Sequence, residues 1–393
     1  CLSMLYRRFG RTNLQLPVFS CGGMRYQHKW QDVPLDQVPA DNQENLEKTV
    51  RRAVELGINH IETARGYGSS ERQLGLVLPK LPREKIIVQT KVGPGSDPDK
   101  FTREFEESLQ RLQLDDVDLL ALHGINDRSV MEVSLRKGGC LDAARRIQSR
   151  GLARHIGFST HGPPEVVLDT VNHQGGQGFD YVNLHWYYIY QRNWPAIEAA
   201  TRYDMGVFII SPSDKGGLLY SPSNRLVELC WPLHPIVFND LFCLSRPQVH
   251  TLSIGAARPS DFDLHLQTLD VLDRADEILP PIIARLEQAY RDAVAPDLRD
   301  PFAAVPCWDA LPGQVNAQII LWLANLINAY DMTEYAKMRY NLLGNGGHWF
   351  PGQNASKMDE PAMTKAIGER LTAMIKDTHA KVGAQSVKRL SES

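Results

Sequence analysis

Four residues in the first third of the chain could together move a proton: Glu62, Tyr67, Lys91 and His123. A tyrosine has an unperturbed pKa of about 10, too high for ready proton exchange near neutrality. An ammonium beside it favours the phenolate, and a carboxylate keeps that ammonium charged and aimed. A histidine can hydrogen-bond a substrate carbonyl or share the phenol's proton. A tyrosine tuned in this way protonates a carbonyl oxygen while hydride arrives at the carbon. The four residues are spread over some sixty positions, so a fold must gather them.

The local patterns suggest how. Residues 58–61 read as a short buried strand, with Glu62 where it ends. Gly66 and Gly68 bracket Tyr67, so the backbone can turn sharply and present the phenol. Ser69 and Ser70 are candidate N-caps of a helix, with Glu71 in its first turn. The apolar run 86–88 leads to Thr90-Lys91, and the run 117–122 leads to His123. From residue 16 to 270, such runs alternate with amphipathic helical segments such as 43–56, 101–112 and 141–150. Eight strand-then-helix units in about 250 residues predict an α/β fold, the (β/α)8 TIM barrel. The apolar runs lack a polar alternate face, as parallel strands covered on both sides should. An open doubly wound sheet is the alternative, but Gly22-Gly23-Met24 makes a poor glycine-rich first turn. After residue 270 the strands stop. Segments 278–294, 314–330 and 360–382 read as helices, which predicts a barrel over 1–274 and an all-helical C-terminal appendage over 275–393.

Composition sets the outer limits. The 393 residues are 43% hydrophobic and 23% charged, with a formal net charge of −3. That balance offers no electrostatic footprint for nucleic acid or an anionic membrane. The 6 cysteines are scattered, with no C-x-x-C pair, so neither a zinc site nor a disulfide framework is expected. No apolar run is long enough to span a bilayer and no signal peptide is visible, so cytoplasmic localisation is the expectation. Gly66-x-Gly68 is not a dinucleotide fingerprint, because Glu71 stands at the sixth position and would repel a pyrophosphate. The stretch 157–161 fails as a nucleophile elbow, because His161 replaces the final glycine.

In the order in which they occur, residues 57–75, Thr90-Lys91-Val92, Asp118-Leu119-Leu120-x-Leu122-His123, Gly151-x-x-Arg154-x-Ile156-Gly157-x-Ser159 and Ser253-Ile254-Gly255-Ala256 resemble the aldo-keto reductase superfamily. The resemblance spans roughly residues 5 to 270. It implies an NADP(H)-binding barrel without a Rossmann motif that reduces aldehydes and ketones. By position, Tyr67 would be the general acid/base, Lys91 its tuner and His123 the substrate-orienting partner. Glu62 stands where most members have aspartate. The cofactor set implied is Gly23, Met24, Ser159, Asn183, Ser211, Pro212, Lys215, Gly255, Ala256, Arg258, Asp261 and His265. Ser159 and Asn183 would bind the nicotinamide carboxamide, with Asn183 in place of a more usual glutamine. The 211–217 segment would strap the pyrophosphate. Residues 255–258 offer backbone N–H groups and a guanidinium at a helix start, a phosphate site on first principles. Asp261 occupies a position that is often basic in NADP-preferring members.

The appendage carries its own resemblance. Ala329-Tyr330-Asp331-Met332, and the run from Met338-Arg339-Tyr340-Asn341 through Gly346-Gly347-His348-Trp349-Phe350, are similar to the C-terminal region of bacterial aldo-keto reductases with a ferredoxin-like cysteine cluster. Such a cluster needs about four thiolates, and only Cys307 follows Cys243. The expectation is therefore a degenerate ferredoxin-like extension without metal. Taken together, the sequence predicts a monomeric NADPH-dependent reductase of small aldehydes or ketones, with no nucleic-acid or membrane partner. A nucleotide-binding regulatory or redox-sensing subunit with little turnover is the alternative.

Overall fold

A computed structural model describes residues 3–344 and 348–383. Eight short parallel strands close into a barrel. They are β3 (Phe19–Gly22), β4 (His60–Glu62), β5 (Ile87–Val92), β6 (Val117–His123), β7 (Ala153–Ser159), β8 (Tyr181–Leu184), β9 (Gly206–Ile209) and β10 (Thr251–Ile254). They pair in chain order, and β10 returns to β3 to seal the ring. The expected TIM barrel with a helical C-terminal region is thus the observed fold. A hairpin that the sequence reading missed, β1 (Tyr6–Arg8) and β2 (Gln15–Pro17), precedes the ring. Its Phe9 and Leu16 join Leu119, Ala121, Tyr181 and Phe208 in a buried apolar cluster. Strands of three residues each carry too little periodicity to be read from sequence.

The helices between residues 40 and 266 follow their apolar spacing. They are α1 (Ala40–Glu55), α2 (Ser70–Leu74), α3 (Pro98–Leu112), α4 (Arg128–Leu135), α5 (Cys140–Ser149), α6 (Pro164–Asn172), α7 (Trp194–Arg202), α8 (Asn224–Cys230), α9 (Pro235–Leu244) and α10 (Phe262–Leu266). In α3 the Asp97 carboxylate caps the Asp99 and Lys100 N–H groups and Pro98 opens the first turn. Phe101, Phe105, Leu109 and Leu112 then fall on one buried stripe.

The chain divides into two compact units, 1–216 with 239–273, and 217–238 with 274–393. The second unit is helical: α8, α11 (Ala275–Ala293), α12 (Pro301–Ala304), α13 (Ala317–Tyr330), α14 (Thr333–Asn341), α15 (Glu360–Ile367) and α16 (Glu369–Val382). The start of α8 is tied into this unit: its N-cap Ser223 donates to the Tyr330 carbonyl at 2.6 Å and Arg225 to the Ala329 carbonyl at 2.7 Å. The single helix expected over 360–382 is two helices, because Gly368 sits at φ +91° between them. Within this unit Trp349 stacks on Phe350 at 4.2 Å, and Trp322 meets both rings edge-on. Gly346 and Gly347 of the C-terminal motif lie outside the described residues. No described helix is long and apolar enough to cross a membrane.

Candidate active site

All four proton-moving candidates sit where barrel strands end. In a strand, residues two apart share a face, and the inward face of β4 carries His60 and then Glu62, while β5 carries Gln89 and then Lys91. Lys91 is 2% exposed, so its ammonium must be satisfied by the protein. It is: Nζ pairs with the Glu62 carboxylate, donates to the Thr63 carbonyl at 2.9 Å and reaches the Tyr67 hydroxyl at 3.2 Å. Burial alone would lower the Lys91 pKa. The Glu62 and Tyr67 charges and hydrogen bonds outweigh it, and the net shift is upward. The ammonium therefore stays charged beside the phenol. Glu62 takes a second contact from Ser253 Oγ at 3.3 Å. Gly22 leaves room for that carboxylate, since a Cβ there would meet Ser253 Oγ at 2.9 Å and Glu62 Oε1 at 3.2 Å.

The Tyr67 loop is held by its neighbours rather than by helix caps. Only Gly68 of the two bracketing glycines is left-handed, at φ +53°, and a Cβ on it would lie 1.9 Å from the Lys29 carbonyl. That approach lets Ser69 N–H donate to Lys29 O at 3.0 Å while Lys29 N–H donates to Ser69 Oγ at 3.1 Å. Ser70 Oγ donates to the Gly23 carbonyl at 2.8 Å. The two serines expected to cap α2 are instead cross-loop staples. Glu71 is likewise not a solvated first-turn charge. It is buried, accepts from Thr90 Oγ1 and Ser108 Oγ, and has its pKa raised by burial against the opposing pull of those bonds.

His123 faces Tyr67 edge-on at 5.7 Å between ring centroids. Burial, with the Lys91 and Lys215 ammonium groups behind it, pushes its pKa down to about 3. It is a neutral imidazole at physiological pH and can donate an N–H without carrying charge. Trp30 also meets Tyr67 edge-on, 6.0 Å between ring centroids; nothing in its loop marks that contact in the sequence.

The proposed cofactor residues fall into three groups. Asn183, at the end of β8 beside Ser159 in register, is fully buried, and neither of its side-chain amide atoms has a protein partner. A buried carboxamide with open donor and acceptor capacity suits another carboxamide, so this end of the barrel fits a nicotinamide. Ser159 Oγ is within 3.1 Å of the Gly124 N–H. The 211–217 turn is tight: Ser211 is left-handed at φ +49°, its carbonyl accepts from the Lys215 N–H at 3.0 Å, and Pro212 O accepts from Asn239 at 3.1 Å. Gly23 admits no side chain, since a Cβ would lie 2.7 Å from the Glu62 carbonyl; Met24 beside it is half-buried.

The third group follows β10. Ala256 is buried, Gly255 lies under the Arg25 side chain and the Arg258 side chain is 67% exposed. Two expectations change here. His265 is fully buried, 2.6 Å from Asp240 and edge-on to Phe19, so its ring is engaged inside the protein rather than presented to a cofactor. The Ala257 N–H, read as open to phosphate, donates to Asp261 Oδ2 at 2.8 Å. The aromatic run after β8 is mostly packing: Trp186 stacks on Phe242 and Tyr187 donates to the Ile210 carbonyl. Among the described residues no group of three or more His, Cys, Asp and Glu side chains could hold a metal.

A model of the Aldo/keto reductase family matches residues 19–221, just over half of the chain, and the chain belongs to that family. L-galactose dehydrogenase of Arabidopsis thaliana is 33% identical over 162 residues, 39% of this chain and 47% of that protein. L-glyceraldehyde 3-phosphate reductase of Escherichia coli K12 is 28% identical over 176 residues, 41% of this chain and 46% of that protein. The chain thus spans about half the length of these curated relatives. In structure it is similar to an aldo-keto reductase from Bacillus halodurans in its holo form, with TM-score 0.59, 20% identity, and coverage of 72% of this chain and 96% of that one. A thermostable aldo-keto reductase complexed with epalrestat gives TM-score 0.57 at 20% identity over 70% of this chain and all of the other.

Proposed function

We propose that the chain reduces aldehydes and ketones to alcohols with a nicotinamide dinucleotide as hydride donor. The observation that carries this reading is the Lys91 ammonium held between the Glu62 carboxylate and the Tyr67 hydroxyl. When bound, the dinucleotide supplies hydride to the carbonyl carbon. Asn183 and Ser159 would hold its carboxamide, and the 211–217 turn its phosphates. Tyr67 donates the phenolic proton to the carbonyl oxygen, so hydride plus proton make the alcohol and leave a phenolate. Lys91 stabilises that phenolate at close range, and Glu62 keeps Lys91 charged. His123, neutral, orients the carbonyl oxygen by donating an N–H. Solvent then reprotonates Tyr67.

The relatives are named for small aldehydes and sugars, which supports substrates of that size. The family resemblance implies NADP(H); Arg258 argues for the 2′-phosphate and Asp261 against it. The test is oxidation of NADPH and of NADH against a panel including 4-nitrobenzaldehyde and methylglyoxal. Binding of dinucleotide without turnover of any carbonyl would instead favour a regulatory subunit.

A further inference from the structure

Arg339 lies in α14, inside the stretch from Met338 to Phe350 that the carbonyl chemistry leaves unused. It is 1% exposed. A guanidinium keeps its charge in proteins, and arginine is almost never fully buried unless paired. Among the described residues Arg339 has one partner, the His348 carbonyl, to which Nη1 donates at 2.9 Å. Nε and Nη2 have none. A carbonyl satisfies an N–H but does not neutralise a charge. Glu334, the carboxylate nearest in sequence, is taken by Lys337 at 3.0 Å, as Asp297 is by Arg370 at 2.7 Å and Glu360 by Lys376 at 2.9 Å. Arg339 stands in the last turn of its helix, which favours a cation. That pull is small beside the cost of stripping water from a full charge.

The two open nitrogens share one edge of the planar group, and their N–H bonds run parallel, so together they fit two oxygens of one anion. Arg72 shows the same edge in use: its Nε and Nη2 hold the two carboxylate oxygens of Asp32 at 2.5 and 3.1 Å. The bond from Nη1 to His348 fixes the plane of the Arg339 group, which gives the open edge a set direction. The backbone beside that bond is constrained as well. Trp349 sits at φ +117°, which a bulky residue adopts only where its surroundings impose it.

Charge decides the kind of anion. One guanidinium offsets one negative charge, so a phosphate dianion would leave a second charge unmet by this group. A carboxylate brings two oxygens and a single charge, and it pairs with this edge in the bidentate form. We propose that Arg339 anchors a binding site for a small carboxylate in the helical unit, an inference that does not depend on the carbonyl reduction proposed above.

The test is the melting temperature of the full chain in sodium acetate and in sodium formate, against sodium chloride at the same ionic strength. In either carboxylate at about 100 mM the wild type should melt about 2 °C or more higher, the shift expected of a ligand near ten times its dissociation constant. Arg339→Met keeps an unbranched side chain and removes the charge. In chloride it should melt at or above the wild type, because an unpaired buried charge is gone, and acetate should add nothing. Arg339→Lys keeps a charge without the fork and should lose most of the acetate gain. Circular dichroism establishes that each variant folds. A wild type unmoved by both carboxylates overturns the proposal, and so does an equal gain in Arg339→Met; if that variant does not fold, an equal gain in Arg339→Lys overturns it. A larger gain from inorganic phosphate than from acetate overturns the choice of a carboxylate.

Discussion

Two inward-facing layers of the barrel, one step apart on the same strands, use polar residues in opposite ways. The lower layer is Ser20, His60, Gln89 and Thr251. The upper layer, two residues further along each strand, is Gly22, Glu62, Lys91 and Ser253. The lower layer is neutral, and its members bond one another although Gln89 Nε2 finds no partner. Gln89 Oε1 can only accept, so His60 Nε2 donates to it at 3.1 Å. His60 Nδ1 then accepts from Ser20 Oγ at 2.6 Å, and Ser20 accepts from Thr251 at 2.6 Å. Burial, with Lys91 nearby, pushes the His60 pKa down to about 3, so the ring stays uncharged. The upper layer instead contains an ion pair whose ammonium also reaches Tyr67. Polarity inside a barrel is thus no mark of chemistry. What distinguishes the two layers is whether a charge is held ready next to a group that can exchange a proton.

The largest effect that could break this contrast concerns Tyr67. Tyr67→Phe should lower kcat by about 10²–10⁴-fold, the usual contribution of general acid catalysis, while dinucleotide affinity stays near wild type. A variant with near wild-type turnover would end the proposed mechanism. Glu62→Gln comes next. It leaves Lys91 buried without its counter-charge, and removing one partner of a buried pair costs about 3–5 kcal/mol. Both stability and kcat should fall; urea unfolding and steady-state rates on the same preparation check this, and an unchanged unfolding midpoint would contradict it.

The lower layer should behave differently. His60→Leu leaves Gln89 Oε1 without its donor and the Ser20 hydroxyl without the acceptor for its proton, with only Thr251 still bonded to it, at about 1–3 kcal/mol for each stranded buried group, yet kcat per folded molecule should stay within about twofold, far from the loss a missing acid catalyst brings. A hundredfold fall in kcat would dissolve the distinction between the layers.

A further check is one of pH. His60 and His123 have pKa values pushed down to about 3 and His250 to about 4, in each case first by burial. Unfolded, each takes up a proton near about 6.5; folded, none does until far lower. The unfolded state therefore binds more protons across this window. Stability is fully present above about 6.5 and is lost as pH falls toward about 4, by about 1.4 kcal/mol per pH unit for a fully buried histidine. The melting temperature should fall from pH 7 to pH 5, and His60→Gln should flatten the slope. A melting temperature constant over that range would contradict the assignment of neutral buried rings. The kcat profile should likewise show no inflection near pH 6.5 from His123.

The sequence alone determined the barrel and singled out its candidate chemical residues. Eight apolar runs separated by amphipathic helices leave few other ways to bury both faces of parallel strands. A carboxylate, a tyrosine, a lysine and a histidine at the ends of such runs converge whatever the details of packing. Only the tertiary structure decided which polar groups remain open. His60 and Gln89 sit in the same runs as Glu62 and Lys91, and nothing local separates a neutral network from a charged, poised one. Ser69, Ser70 and Glu71 read as helix-start residues because that is their local preference, yet Lys29, Gly23, Thr90 and Ser108 claim them from elsewhere in the chain. Asp261 read as one unfavourable charge near a phosphate site, and its bond to the Ala257 N–H appears only when the loop closes. The physical reason is common to all these cases. Periodicity and propensity act over a few residues, whereas the satisfaction of a buried hydrogen-bonding group is settled by partners tens or hundreds of positions away.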